Sequence, residues 1–511
     1  MKSFKYVYLF FLLLTSLFKV TAQNADREVT YLNAVQASQT TFGGTARFQS
    51  IGGATTALGA DMGTLGSNPA GLGMYRKSDM SITGGIGVAH TQSTYQGSSP
   101  TTTGASKGYP FIPNFGMVFT GQSKDSNSSW RGGAFGISLD RISDYQNKFS
   151  YSGANQNSYS DYMVGKANGN NYFNSNINNP PDLATLGYAT FLVFPQNPMD
   201  PYNTTYRSLA NEQDSNSVQR QATVVAKGRQ SQFNIGYGGN INDKLYIGLS
   251  TGIATIKSTT VTTYNENMSS PTQNDPLTSF ALSENQVVKG TGINFKIGTT
   301  YKIADWIRVG ATFQTPTYYS MSSTYYYSIN SNFLPVQQGL GYPDSGQSNQ
   351  SATTVFKYKM QTPLKFTAGV ALFASKGGFI SSDISLVSYN SASLSSSAYN
   401  FGPDNAAIQQ LCHTAINYNI GGELRRNTFR LRAGFAYYGS PYKVNSDVQS
   451  STINFTAGLG FRFSSNYIDL AVVDSRSSSL YSPYSLSDGQ APEIKIVSSA
   501  VRVMLTTGIL F

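Results

Sequence analysis

The chain has 511 residues, of which only 12% are charged and 13% aromatic, with 34 Tyr, 49 Gly and a formal net charge of +10. The charged share is about half that of an ordinary soluble domain. Lys and Arg are scattered singly with no basic patch or tail, which excludes nucleic acid as the partner. Cys412 is the one cysteine, which excludes an intrachain disulfide scaffold.

Residues 1–22 read as a cleavable secretory signal. Lys2 and Lys5 give the positive start, Tyr6 to Phe18 the apolar core, and Val20-Thr21-Ala22 a cleavage site before Gln23. That apolar run is well short of the roughly twenty residues a membrane helix needs, and no later segment supplies one. An exported chain that stays in a membrane is then a closed barrel, because lipid offers the backbone no hydrogen bonds.

Asn24 to Thr41 is polar and mixed, and is expected to be a loose periplasmic arm. Gly43 to Asp79 is rich in Gly and Ala and poor in charge. Ile51, Ala54 and Leu58 fall there at helical spacing with glycine punctuation after them, which reads as a compact plug. Residues 23–78 are thus assigned to arm and hatch, and 79–511 to the barrel. The segment is too short for the plug of an energy-coupled receptor, and Asp26 to Thr30 contains no coupling box.

Beyond it the pattern has period two. Met80, Ile82, Ile86 and Val88 share a face in the first strand. In the sixth, Ile293, Phe295, Ile297, Tyr301 and Ile303 alternate with Asn294, Lys296, Gly298, Thr300 and Lys302. Phe356, Tyr358, Met360, Leu364, Phe366, Val370 and Leu372 all fall on even numbers and read as one long strand. The last strand carries Val501, Val503, Leu505, Ile509 and Phe511. About fourteen strands result. Short turns such as Asn242-Asp243 and Ala304-Asp305 alternate with long connections such as 91–110, 142–217, 257–288 and 320–352. Bacterial barrels sort their connections in this way, and a β-sandwich has no reason to. The fold class is therefore all-β: a transmembrane antiparallel β-barrel in the bacterial outer membrane, plugged by a small N-terminal hatch. It is expected to be monomeric and surrounded by outer-membrane lipid. Phe511 ends a strand that resembles the C-terminal signal read by outer-membrane barrel assembly machinery, which is therefore an expected partner.

Chemistry is sparse. His90 and His413 are far apart, and Cys412 and His413, adjacent on a strand, would face opposite ways. Gly43-Gly44 and Gly52-Gly53 lack the Gly-Lys-Ser/Thr of a phosphate loop. No catalytic set, metal or cofactor is expected.

The alternation points Lys296, Lys302, Arg308, Lys357, Lys359, Lys365, Arg430, Arg432, Arg462 and Arg502 into the lumen, with Asp383 and Glu423. Arg308, Lys365, Arg430, Arg432 and Arg462 are the candidates to receive a carboxylate, for which Arg offers bidentate contact. Ion pairing within a polar interior is the other reading. In the longest loop, Asp182 is a helix N-cap candidate ahead of an apolar run. Leu186, Phe191 and Phe194 in that run would either capture ligand or pack on neighbouring loops. Pro363 and the Gly-rich third strand are candidate wall irregularities, since Pro cannot donate to a ladder.

The stretch GGATTALGADMGTLGSNPAGL, residues 52–72, resembles the hatch of the FadL/TodX family of outer-membrane transporters for hydrophobic compounds, whose hallmark is Asn-Pro-Ala near the N-terminus. Strand count and loop pattern extend the resemblance over nearly the whole mature chain. It implies that Asn68, Pro69 and Ala70, followed by Gly71, form the hatch turn. It also implies an energy-independent channel for long-chain fatty acids or other hydrophobic small molecules. In such a channel the hatch or arm shifts and the ligand leaves sideways into the bilayer. A general diffusion porin and a barrel that binds ligands through its surface loops fit the same architecture.

Overall fold

The computed structural model describes residues 31–511 except 41–42, 97–99, 126, 174, 176, 179, 211–217, 336–342, 344, 376, 444–449, 485 and 487–491. The signal at 1–22 and the arm as far as Thr30 lie outside the described residues.

One antiparallel sheet closes on itself. Its wall strands are β1 (Asp79–Tyr95), β2 (Thr101–Gln122), β3 (Trp130–Asp144, continued by Asn147–Asn155), β4 (Val218–Ile241), β5 (Leu245–Met268), β6 (Leu277–Ala304) and β7 (Ile307–Gln314, then Tyr318–Phe333). They continue with β8 (Thr354–Gln361, then Lys365–Phe373), β9 (Gly378–Ser388), β10 (Thr414–Arg426), β11 (Phe429–Tyr438), β12 (Thr452–Arg462), β13 (Asn466–Tyr481) and β14 (Ile494–Leu510). Each pairs with its chain neighbour, and β14 pairs with β1 from Ile494↔Tyr95 to Leu510↔Asp79. The result is a closed barrel of 14 strands, as the alternation predicts.

The two faces of the wall differ in the way a bilayer demands. Ile86, Leu249, Phe295, Ile297, Ile420 and Leu505 stand exposed on the outside, while Thr83, Asn234, Asn294, Thr300 and Thr506 are buried inside. The short turns join the lower ends of the strands. At the β4–β5 turn both Asn242 and Asp243 have positive φ, 53° and 55°, as a two-residue hairpin turn requires.

Three findings depart from the sequence reading. First, β4, β5 and β6 run 24, 24 and 28 residues, more than twice the roughly 9–11 needed to span. Most of 257–288, expected as a loop, is ladder on either side of a short turn. Thr, Ser and Asn occupy both faces there, so no period-two signal marks it, yet the backbone pairs regardless.

Second, the strand read as continuous through Pro363 is broken. Below the break Phe366 and Leu372 face out, whereas above it Phe356, Tyr358 and Met360 are buried inside and Lys357 and Lys359 are exposed. The even-numbered run is real, but the residues between Gln361 and Lys365 turn it over. Lys357 and Lys359 are therefore not lumenal.

Third, part of the expected periplasmic arm is inside the barrel. Helix α1 (Tyr31–Ser38) packs against α6 (Gly402–Leu411) of an extracellular loop, with Ala34 and Val35 wholly buried in the same apolar cluster as Phe401 and Ile408. Polar composition misled here because two small apolar residues suffice to seat one turn of helix.

The hatch follows as α2 (Ala46–Ser50), α3 (Thr64–Ser67) and a 3-10 helix, Pro69–Met74. Above it the lumen is filled by loop elements, among them α4 (Tyr159–Ala167) and α5 (Leu183–Ala189), which is N-capped by Asp182 as predicted (Thr185 N to Oδ1, 2.7 Å).

Candidate functional site

Asn68 sets the hatch turn. Its Oδ1 accepts from Ala70 N (3.1 Å), capping the 3-10 helix that Pro69 opens, while its Nδ2 donates to Thr56 O (2.6 Å), Thr299 O (3.1 Å) and Thr300 Oγ1 (3.2 Å). One side chain thus ties two hatch segments to β6. Leaving such buried groups unpaired costs about 1–3 kcal/mol.

Glycines of the wall receive the hatch all round. A methyl on Gly298 would meet Asn68 Oδ1, on Gly248 the Pro69–Ala70 peptide, and on Gly310 Thr56 O. Across the barrel, a methyl on Gly421 would meet Ile51 O and one on Gly434 the Ile51–Gly52 peptide. The hatch therefore rests against the wall backbone to backbone. Inward-facing glycines at similar heights in successive strands were the sequence signal for this belt.

Charge fastens one side. Arg432, fully buried, donates from Nε to Glu423 Oε2 and from Nη1 to Asp469 Oδ1, both at 2.7 Å. Arg47 of the hatch approaches Glu423 at 3.5 Å and Asp61 at 3.4 Å, and Arg462 holds Asp469 through two 2.9 Å contacts. Opposite, Asp383 Oδ2 accepts from Thr55 N (2.9 Å), Thr56 N (3.0 Å) and Thr56 Oγ1 (2.7 Å).

Directly above the hatch lies a chamber of about 140 Å³. Its lining is mixed: Gln230, Gln232, Lys296, Gln314, Lys365, Asp140, Asp383 and Asn419 face it beside Phe48, Ile142, Val387 and Tyr389, together with Ala37 and Ser38 of α1. Asp383 Oδ1 is buried with no hydrogen-bond partner among the described residues. The structure separates the five cationic candidates. Lys365 lines the chamber; Arg432 and Arg462 are ion-paired beside the hatch. Arg308 donates to Leu58 O (3.3 Å) with its guanidinium 4.5 Å from the Phe373 ring, and Arg430 is spent on backbone carbonyls of Asn427 and Phe429 at the rim. Lys296, an inward-facing residue outside that set of five, joins Lys365 instead.

The upper lumen is aromatic. Leu186 and Phe194 are buried within it and Phe191 packs edge-on to Phe333 at 6.4 Å, so these three form packed interior, not an exposed surface. At its centre Arg220 and Glu266, both without exposed side-chain surface, lie 3.8 Å apart among Tyr95, Tyr264 and Tyr484.

No family model matches the chain, and no curated protein matches it in sequence. Solved structures do. A Pseudomonas aeruginosa FadL homologue superposes with a TM-score of 0.53 at 12% identity, covering 91% of this chain and 98% of its own. The chain has the FadL-type fold. The toluene transporter TodX of P. putida (TM-score 0.48, 14% identity, 92% and 99% covered) and the CymD monoaromatic hydrocarbon channel (0.47, 12%, 92% and 98%) are more distant in shape. The likeness is one of fold: a closed antiparallel barrel with the N-terminal hatch in its lumen.

Proposed function

We propose that this barrel is an outer-membrane channel for passive uptake of hydrophobic molecules that carry an anionic head group, of which long-chain fatty acids are the type. The observation that carries the reading is the chamber above the hatch, which Lys296 and Lys365 line together with Asp140 and Asp383, inside a wall that is apolar outside. Binding pockets for whole ligands span roughly 300–1,000 Å³. A cavity of about 140 Å³ suits a head group, and the tail must then occupy space now held by α1 and the aromatic loops. Uptake thus requires α1 to move, while the hatch, gripped through its backbone, serves as a floor. Release is sideways into the bilayer. An open porin lumen is disfavoured by the hatch and loop elements that fill this one.

The test is uptake of radiolabelled oleate by cells lacking their own fatty-acid channel, with and without this protein. Oleate uptake should depend on the protein and be lost on replacing Lys365 and Lys296 together by Met. Uptake of toluene, which has no head group, should not change with those replacements. Equal loss of both substrates would place the lysines in folding and remove the head-group assignment.

A further inference from the structure

β7 and β8 break at the same height. Gln314↔Lys365 is the last pair of their lower ladder and Tyr318↔Gln361 the first of the upper one. Pro316 and Pro363 stand in the two gaps, and neither can donate to a ladder. The breaks hold to each other, Thr362 N donating to Thr317 O (3.1 Å) and Thr317 N to Thr362 Oγ1 (2.9 Å). Toward β9 the wall is slack. Pairing runs to Lys365↔Val387 and resumes, on the short strand Ser393–Ser395, only at Gln361↔Ser393. The shorter run of β8 therefore faces a longer one that coils into a 3-10 turn, Tyr389–Ser391. The bond that crosses this seam, Ser388 N to Leu364 O, is long at 3.4 Å.

The seam has space on both sides. Thr362, Pro363, Val387 and Tyr389 line the chamber. Gln361 and Ser393, their near neighbours in sequence, line a groove of about 420 Å³ that also includes the exposed Tyr318 and Lys359. At that height the wall still faces hydrocarbon, with Ile293, Phe295 and Leu386 exposed on the flanking strands. β2 also leaves β3 above Asn114↔Asp140, but there the gap is bridged. Thr91 Oγ1 donates to Lys148 O (2.6 Å), Lys107 Nζ to Ala226 O (2.5 Å), and Tyr95 stacks on Tyr151 at 6.4 Å.

We propose that ligand passes between the chamber and the membrane through the seam between β8 and β9, with Tyr389 standing in it and Lys365 at its inner threshold. This port rests on the reading of the barrel as a channel for hydrophobic carboxylates. Two experiments test it. The double substitution Leu364→Cys with Ser388→Cys, bridged by a short bifunctional thiosulfonate, should lose protein-dependent oleate uptake and regain it on reduction. The same bridge across an intact ladder, Ile384→Cys with Tyr418→Cys, paired between β9 and β10, should leave uptake unchanged. Uptake that survives the first bridge overturns the port and leaves the channel standing. Absence of oleate uptake by the unsubstituted protein overturns the cargo reading and the port with it. Should the cysteine pair disturb assembly, the unsubstituted protein decides. A diazirine-bearing fatty acid, photolysed during uptake, should mark Thr362–Lys365 or Tyr389. Adducts confined to the facing edges of β2 and β3 would overturn the port.

Discussion

The floor and the roof of this lumen are packed on different principles. The floor is a hatch laid backbone to backbone on inward glycines, pinned by Asn68, Asp383 and the Arg432 ion-pair chain. The roof is loop elements packed among inward aromatic side chains, Tyr159 of α4 with Tyr151, Tyr264 and Phe280 of the upper strands among them. Backbone contact leaves nothing to rotate, so the floor has one arrangement. Side-chain packing can be exchanged for other side chains, or for the tail of a ligand, at modest cost. In a barrel that must stay sealed yet admit a large molecule, the seal belongs to the first kind and the passage to the second.

That contrast can be broken most severely at Arg432. Replacing it by Leu removes the guanidinium that joins Glu423 to Asp469 and leaves them to Arg425, Arg47 and Arg462, an expected loss of up to about 3–5 kcal/mol, read as a lowered denaturation midpoint of the whole barrel in detergent. Leu186→Ala removes a fully buried side chain of the roof and should cost about 2–5 kcal/mol locally. Its signature is faster protease cleavage within 142–217 with the barrel's own unfolding unchanged; a matching drop in barrel stability would mean that roof and floor are one unit. Gly248→Ala should cost about 1–3 kcal/mol by overpacking, and, because it pushes on the Pro69–Ala70 peptide, should raise ion leakage through the barrel in a planar bilayer. Leakage equal to that of the unsubstituted protein would show that the belt yields. The smallest effect is expected at Cys412. Burial pushes its thiol up to about 11, so the thiolate is scarce at neutral pH and forms only as pH rises toward that value. Maleimide should not label it at neutral pH; rapid labelling would show that the roof opens spontaneously.

The barrel was legible in the amino-acid pattern alone. Period-two alternation at Ile293 to Ile303, the sorting of turns from loops, and the apolar hatch before the first strand each follow from the backbone's need for partners in lipid, which acts residue by residue. The Asn68-Pro69-Ala70-Gly71 turn came from the family resemblance, and the structure adds the local bond that caps it, Ala70 N to Asn68 Oδ1. What lay between distant segments was not legible. Which basic side chains line a chamber and which are spent in ion pairs depends on the height of each strand in the wall, and a repeat of two says nothing about height. Lys365 and Arg432 have the same pattern around them, yet one meets a cavity and the other Glu423 and Asp469. The even-numbered run from Phe356 to Leu372 hid a reversal because the break at Pro363 restores the parity of the numbers while turning over the face. Helix α1 was missed for the same reason: its partners, Phe401 and Ile408, are some 370 residues away, and only closure of the barrel brings them together.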